Sequence, residues 1–456
     1  MNESTQNAPS LRAGAVKLVR RLQNAGFTAY WAGGCVRDVL LGQEPKDYDI
    51  ATNATPDQVM PLFPGALAVG KAFGVVKAPL NNHDYDVATF RRDAAYSDGR
   101  HPDTVSFTDA ATDAQRRDFT INALFYDPVT EQTHDFVGGR KDLERRTIRA
   151  VGDPDARFNE DHLRMLRAVR FAGALRFTLE PQTAKAIGKS GSRLAGISPA
   201  RIREEFTRIL LEARPAGDAL LLMDELGLLA VMLPEVAAMK RQAQPPAFHP
   251  EGDVLTHTVI MLNAMKTDDP RLAYAVLLHD VGKPPTAALD GERIRFDGHA
   301  AAGATMARLI LERLHFSSDD TGAICHCIAN HMRFMEVQNM RMHTLRKLMG
   351  GPTFPIELEL HRLDCLASHS NMDNYRFLLD QQARLADEPV LPQPWITGND
   401  IMALGISQGP QVGVWRKKAY DAQLERTYAD RGTLLEWLRG EIESCRGLED
   451  EQPGHE

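Results

Sequence analysis

Two adjacent glycines, Gly33-Gly34, divide a short strand-like stretch (Thr28 to Trp31) from a helical one (about Val36 to Leu41). Asp47-Tyr48-Asp49 follows at the head of a stretch, Asp47 to Ala51, that alternates like a strand. This order constrains the fold strongly. A Gly-Gly turn between strand and helix lets phosphate come close to backbone N–H groups at a helix N-terminus. Residues two apart in a strand share a face, so Asp47 and Asp49 point the same way. Alone, an Asp-x-Asp is more often a solvated strand end. With Gly33-Gly34-Cys35-Val36-Arg37-Asp38 just upstream, it reads as a pair of carboxylates around an oxygen-seeking cation, Mg²⁺ by preference. Asp86, or Asp84 on the same face of the next strand, is the third carboxylate such a site would use.

The rest of the first third keeps mixing strands and helices. A helix over residues 11–26 ends at Gly26, and Val75 to Ala78 and Tyr85 to Phe90 read as strands with Asn81-Asn82-His83 as their turn. Arg116-Arg117-Asp118-Phe119-Thr120-Ile121-Asn122 carries cationic donors and an amide suited to a triphosphate and a ribose, though by composition it reads as the start of an amphipathic helix. After Asp153-Pro154 the β signal fades, and residues 159–177, 199–213 and 216–229 have helical periodicity. Proline-containing breaks at 244–250 and 388–394 read as linkers. The expected class is α+β: a mixed head (1–152), a helical neck (153–244), a His-rich helical domain (250–386) and a helical tail (387–445).

A chain of 456 residues with 43% apolar composition is long enough for several cores. No stretch approaches the roughly 20 apolar residues of a membrane span. Five scattered cysteines argue against a disulfide framework, and the polar N-terminus lacks a secretory pattern, so a cytoplasmic protein is expected. The formal net charge of −8 is unusual for a nucleic-acid partner, but residues 160–210 hold ten basic and five acidic side chains while the end of the chain is acidic. That basic middle is either a track for a nucleic-acid backbone or a set of solvated helix faces.

GGCVRDVLLG…DYD together with RRDFTINALFYD closely resembles the class II tRNA nucleotidyltransferases and their relatives, the bacterial poly(A) polymerases. The similarity continues through HDFVGGRKDL (134–143), NEDHLRMLRAVRFAGALRF (159–177) and ISPARIREEF (197–206). It implies a polymerase-β-like head, Mg²⁺ on the catalytic Asp47 and Asp49, and transfer of a nucleotide from CTP or ATP to the 3′-hydroxyl of tRNA. It places nucleotide binding on Gly33, Gly34, Arg37, Arg117, Asp118, Asn122, Asp161, Arg164, Arg167 and Arg170, with Asp161 and Arg164 as base readers. Cytosine and adenine each offer an exocyclic amine to a carboxylate and a neighbouring ring nitrogen to a guanidinium, whereas uracil and guanine offer oxygen in place of the amine. On one continuous helix Glu160, Asp161 and Arg164 would span about a 100° arc. The loop Tyr96 to Asp103 matches a segment the family uses in switching from C to A addition, and favours the full CCA reaction over CC alone. A-only and CC-only enzymes nevertheless share all of the head motifs.

A second constellation comprises His257, His279-Asp280, Gly282-Lys283, His299, His331 and Asp364. It resembles the HD superfamily of metal-dependent phosphohydrolases. The resemblance implies a divalent metal of unknown identity on His257, His279, Asp280 and Asp364, with His299 and His331 serving a second metal and His326 as an alternative. The domain is then a phosphohydrolase acting on tRNA ends or nucleotides, or a retained fold that supports tRNA. Cys325-His326-Cys327 has no partner pair at zinc-finger spacing. In the tail, Asn399 or Asp400 is a candidate helix cap.

Overall fold

The computed structural model describes residues 10–70, 73–94, 104–245, 249, 251–291 and 293–450. The loop Tyr96 to Asp103 lies outside the described residues. The chain divides into two compact units: one of residues 1–241, 262–273 and 310–316, the other of 242–261, 274–309 and 317–456.

The first unit begins with the helix Leu11–Asn24, capped by Ser10, whose Oγ accepts from the Ala13 N–H at 3.3 Å. Its buried Ala15, Leu18, Val19 and Leu22 recur at helical spacing. It stops two residues before Gly26, which takes a left-handed φ of 89°. The head strands are β1 (Ala29–Ala32), β2 (Ile50–Thr52), β3 (Leu67–Gly70), β4 (Val75–Leu80), β5 (His83–Thr89), β6 (Arg91–Asp93), β7 (Val105–Phe107), β8 (Leu124–Asp127) and β9 (Gln132–Asp135). Seven of these form one sheet in the order β3-β4-β5-β2-β1-β8-β9, with β2 and β5 parallel and the other neighbours antiparallel. β6 and β7 pair separately. The β4–β5 turn is shorter than its sequence suggests. Asn81 and Asn82 alone make it, with φ of 54° and 63°, and His83 already pairs with Leu80.

Two sequence expectations fail here. Arg116 to Asn122 is not a helix start: a loop and a 3₁₀ turn, Thr120–Asn122, lead directly into β8. The segment 159–177 is not one helix either. Pro154–Glu160 and Arg164–Leu175 are separate, because Asp161 leaves helical geometry (φ −144°, ψ 107°) and its Oδ1 accepts the Leu163 N–H at 3.1 Å. A short polar side chain bonding to nearby backbone competes with the helix ladder in this way. The helices Pro199–Glu212, Ala216–Glu225 and Leu228–Met232 follow, the last two separated by Gly227 in a left-handed conformation.

The second unit is largely helical. Phe334, Leu345, Leu348, Phe354 and Leu378 form one apolar cluster, and Ile401, Trp415, Leu434, Leu438 and Ile442 another in the C-terminal helices Gly398–Ala403, Pro410–Leu424 and Arg431–Asp450. The cap of Gly398–Ala403 is Thr397, not Asn399 or Asp400; Asp400 returns the bond to the Thr397 N–H in a capping box. The supposed linker at 244 is not simply solvated, since Gln244 is buried. All five cysteines are free. No described helix is long and apolar enough to cross a membrane.

Candidate functional site

A cleft of about 1000 Å³ opens in the first unit, where β1 gives way to the Gly33-Gly34 turn. Gly33 is required there: its φ is +77°, and a Cβ would stand 3.0 Å from Nη1 of Arg117. Its N–H donates to the Leu124 carbonyl at 3.1 Å, which fixes the turn to β8. Asp47 and Asp49 line the same cleft. Ladder pairing of β2 begins only at Ile50, yet exposure alternates from Asp47 onward, with Tyr48 and Ile50 buried and both aspartates open. The Ala32 N–H donates to the Asp49 carbonyl at 2.9 Å, holding that residue beside the glycine turn.

The surrounding protein mass, and then the charge of Asp47, push the Asp49 carboxyl up to about 6, while Arg117 acts in the opposite direction. Asp86, on β5 next to β2, adds a smaller upward push and pairs with Lys77 at 3.2 Å. Among the described residues neither Asp47 nor Asp49 makes an ion pair. Two like charges held together in this way suit a hard divalent cation.

The facing wall is cationic and tightly organised. Asn122 Oδ1 accepts from Arg37 Nη1 at 2.9 Å, and Arg117 Nη1 donates to the Asn122 carbonyl at 3.2 Å. Arg116 and Arg117 are both anchored on buried Asp113, at 2.7 and 3.1 Å. Asp118 is gripped by Arg167 at 2.6 Å. Arg37, Arg167 and Arg170 all lie over the ring of Phe171, at 5.4, 5.4 and 4.3 Å from its centroid. Arg170 is itself buried and committed to Glu205 at 2.5 Å and Glu212 at 3.0 Å, so it braces the wall from behind.

Asp161 and Arg164 both line the cleft but do not pair with each other. Arg201 Nη2 holds both Asp161 oxygens, at 3.1 and 2.9 Å. Arg164 donates to Glu160 Oε2 at 2.5 Å and to the Arg116 carbonyl at 3.3 Å. The helix break separates them and gives each its own support. Asp113, Phe171, Arg201 and Glu205 were not singled out from the sequence as parts of this site. Asp113 and Glu205 are charged residues that turn out buried, and only the paired arginines hint at that.

The second unit brings the predicted histidines together. Nε2 of His257 lies 3.1 Å from Asp364 Oδ1, and Nε2 of His279 lies 3.1 Å from Asp280 Oδ2. Both Nε2 atoms are buried and form no hydrogen bond. His257, His279 and Asp364 place ligand atoms within 4.8 Å of one another, and so do Asp280, His299 and His331. In the second group the Nε2 atoms of His299 and His331 face each other at 3.2 Å. Burial pushes His331 down to about 4 and also lowers His299, so both are neutral donors near pH 7. Burial opposes charge on Asp280 as well, but His279 and Lys283 hold its carboxyl well below the usual range. The unbonded Nε2 atoms of His257 and His279 beside Asp364, and the facing Nε2 atoms of His299 and His331 beside Asp280, fit a divalent cation in each cluster.

The packing that brings Asp280 to the His299 helix depends on glycine. A Cβ on Gly282 would lie 2.2 Å from the His299 carbonyl and 2.5 Å from the Gly303 nitrogen. His326 is exposed and joins neither cluster, lying 3.5 Å from Glu357. Among the described residues Cys325 and Cys327 take part in no metal-ligand group.

Comparison with known proteins matches the head to the poly A polymerase head domain over residues 29–149. Residues 176–240 match the "Probable RNA and SrmB- binding site of polymerase A", and residues 253–366 the HD domain. A CCA-adding enzyme of Geobacillus sp. (strain WCH70) is 43% identical over 234 residues, 51% of this chain and 57% of that protein. Poly(A) polymerase I of Salmonella typhi is 42% identical over 210 residues, 43% of this chain and 44% of that protein. The chain thus spans about half the length of the curated relatives it matches. The crystal structure of the Bacillus stearothermophilus CCA-adding enzyme in complex with CTP superposes with a TM-score of 0.77 and 25% identity, covering 97% of this chain and all of that one. Head motifs, RNA-binding segment, HD domain and a shared fold along nearly the whole length agree: this chain belongs to the family of class II CCA-adding enzymes and bacterial poly(A) polymerases.

Proposed function

We propose that this chain adds C, C and A to the 3′ end of tRNA from CTP and ATP, without a template. The observation that carries the reading is the cleft itself. It gathers two close carboxylates, a glycine turn, a braced arginine wall and the separated Asp161 and Arg164 around one volume. Asp47 and Asp49 would hold magnesium, which would supply Lewis acidity for the transfer.

The chain's own residues do the positioning. Gly33 keeps the cleft floor free of side chain, so the triphosphate lies against backbone. Arg117 faces the carboxylates and, with Arg37 and Arg167, offsets the charge of the β- and γ-phosphates that leave as pyrophosphate. Asp161 accepts the exocyclic amine of cytosine or adenine, and Arg164 donates to the adjacent ring nitrogen. A base with oxygen at that position sets a lone pair against Asp161 and a ring N–H against Arg164, which disfavours it. The basic helices after Glu160 carry the tRNA backbone.

Offering the protein a tRNA transcript lacking its terminus, with each of the four nucleoside triphosphates in turn, tests this. Labelled C and A enter and U and G do not; equal incorporation of all four contradicts the base-reading roles.

The two histidine–carboxylate clusters favour a second activity, hydrolysis of phosphate esters in the HD domain with a divalent metal. Hydrolysis of a nucleoside 2′,3′-cyclic phosphate by the intact chain, lost in Asp280→Ala, tests it.

A further inference from the structure

The four HD histidines are not held alike. Nδ1 of His279, His299 and His331 contacts a backbone carbonyl in each case: Val276 at 2.9 Å, Phe296 at 2.8 Å and Ile328 at 2.7 Å. His257 differs, its Nδ1 lying 2.6 Å from Oε1 of Glu251. The same oxygen meets Nδ1 of His249 at 2.9 Å. The Glu251 side chain is 6% exposed, and its Oε2 is buried without a hydrogen bond. A carboxylate this deep is costly unless its charge acts on a cation.

An ionised carboxylate only accepts, so it holds the His257 proton on Nδ1 and, once a cation takes the place of the Nε2 proton, leaves the Nε2 lone pair directed toward Asp364 and His279. It also pushes electron density into the ring, which a backbone carbonyl does more weakly. We propose that Glu251 is a positioning residue that anchors His257 through a carboxylate where the other HD histidines have only a carbonyl, and so makes His257–His279–Asp364 a tighter cation site than Asp280–His299–His331. His249 braces Glu251 from the other side. This role rests on the HD clusters binding metal, the reading given under the proposed function.

The test uses the full chain carrying Asp47→Ala and Asp49→Ala, so that cation binding reports the HD domain. Co²⁺ is titrated with calorimetry and visible absorption together. The parent takes up a tight and a weak equivalent. Glu251→Ala weakens the tight step by about 10- to 100-fold and shifts its absorption band, leaving the weak step in place. Glu251→Gln, which keeps an acceptor oxygen, falls between parent and Ala. A tight step within twofold of the parent in Glu251→Ala overturns the proposal, as does an equal loss in both steps. If Glu251→Ala does not fold, Glu251→Gln decides: a loss of about threefold or more supports the role, and an unchanged tight step overturns it. A parent that binds no more Co²⁺ than its His257→Ala, Asp280→Ala derivative removes the metal reading itself, a separate and recognisable failure.

Discussion

Arg167 holds Asp118 through two donors on one oxygen, Nε at 2.9 Å and Nη2 at 2.6 Å from Oδ2. The other oxygen receives the Phe119 N–H at 2.7 Å and Asn122 Nδ2 at 3.3 Å. One buried carboxylate therefore ties the helix Arg164–Leu175 to the loop entering β8, and with it the two sides of the cleft wall. Burial works against its charge, but Arg167 and these bonds bring Asp118 down to about 2.

A folded-state pKa below the unfolded value adds stability above about pH 4 that is lost as pH falls toward 2, here about 2 kcal/mol. Asp118→Asn should flatten that dependence. The melting temperature of the wild type then falls more steeply than the variant's between about pH 5 and pH 2.5. Parallel curves contradict the assignment.

Arg170 and Glu205 form a second buried pair, between the helices Arg164–Leu175 and Pro199–Glu212. Removing one partner strands the other charge. Glu205→Ala should cost about 3–5 kcal/mol in denaturant unfolding, with Glu212 recovering part of the loss. A cost below about 1 kcal/mol would mean that Arg170 reaches solvent.

Much of this was legible in the sequence, and the misses have physical causes. Gly33-Gly34 and Asp47-x-Asp49 mark the cleft because a glycine conformation and like charges at close spacing are locally encoded. The HD histidines are widely spaced, yet their residue types restrict what they can do together. The break at Asp161 was not legible, because helical periodicity runs through Glu160 to Arg164 while the deciding contacts come from the Leu163 N–H and from Arg201, forty residues on. The resemblance places Arg170 among the nucleotide-binding residues, and its burial against Glu205 is seen only in the fold. Glu251 carries no local signal.

Gly282→Ala should disable the HD domain selectively. A Cβ there meets the backbone of the His299 helix, so the Asp280–His299–His331 cluster must open. Phosphoester hydrolysis should fall by about tenfold or more while nucleotide addition persists. Retained hydrolysis at wild-type rate would place the chemistry elsewhere.

Asp49→Ala should reverse that pattern, lowering nucleotide addition by about a thousandfold or more and sparing HD hydrolysis. Equal loss of both activities would instead mark a folding defect, which circular dichroism detects.

CCA addition is read directly from three tRNA transcripts, ending before CCA, after C and after CC, incubated with the protein, Mg²⁺, CTP and ATP and resolved at single-nucleotide length. All three transcripts should converge on one product ending in CCA and stop there. Long A tails, extension of only the CC-ended transcript, or arrest at CC would contradict it.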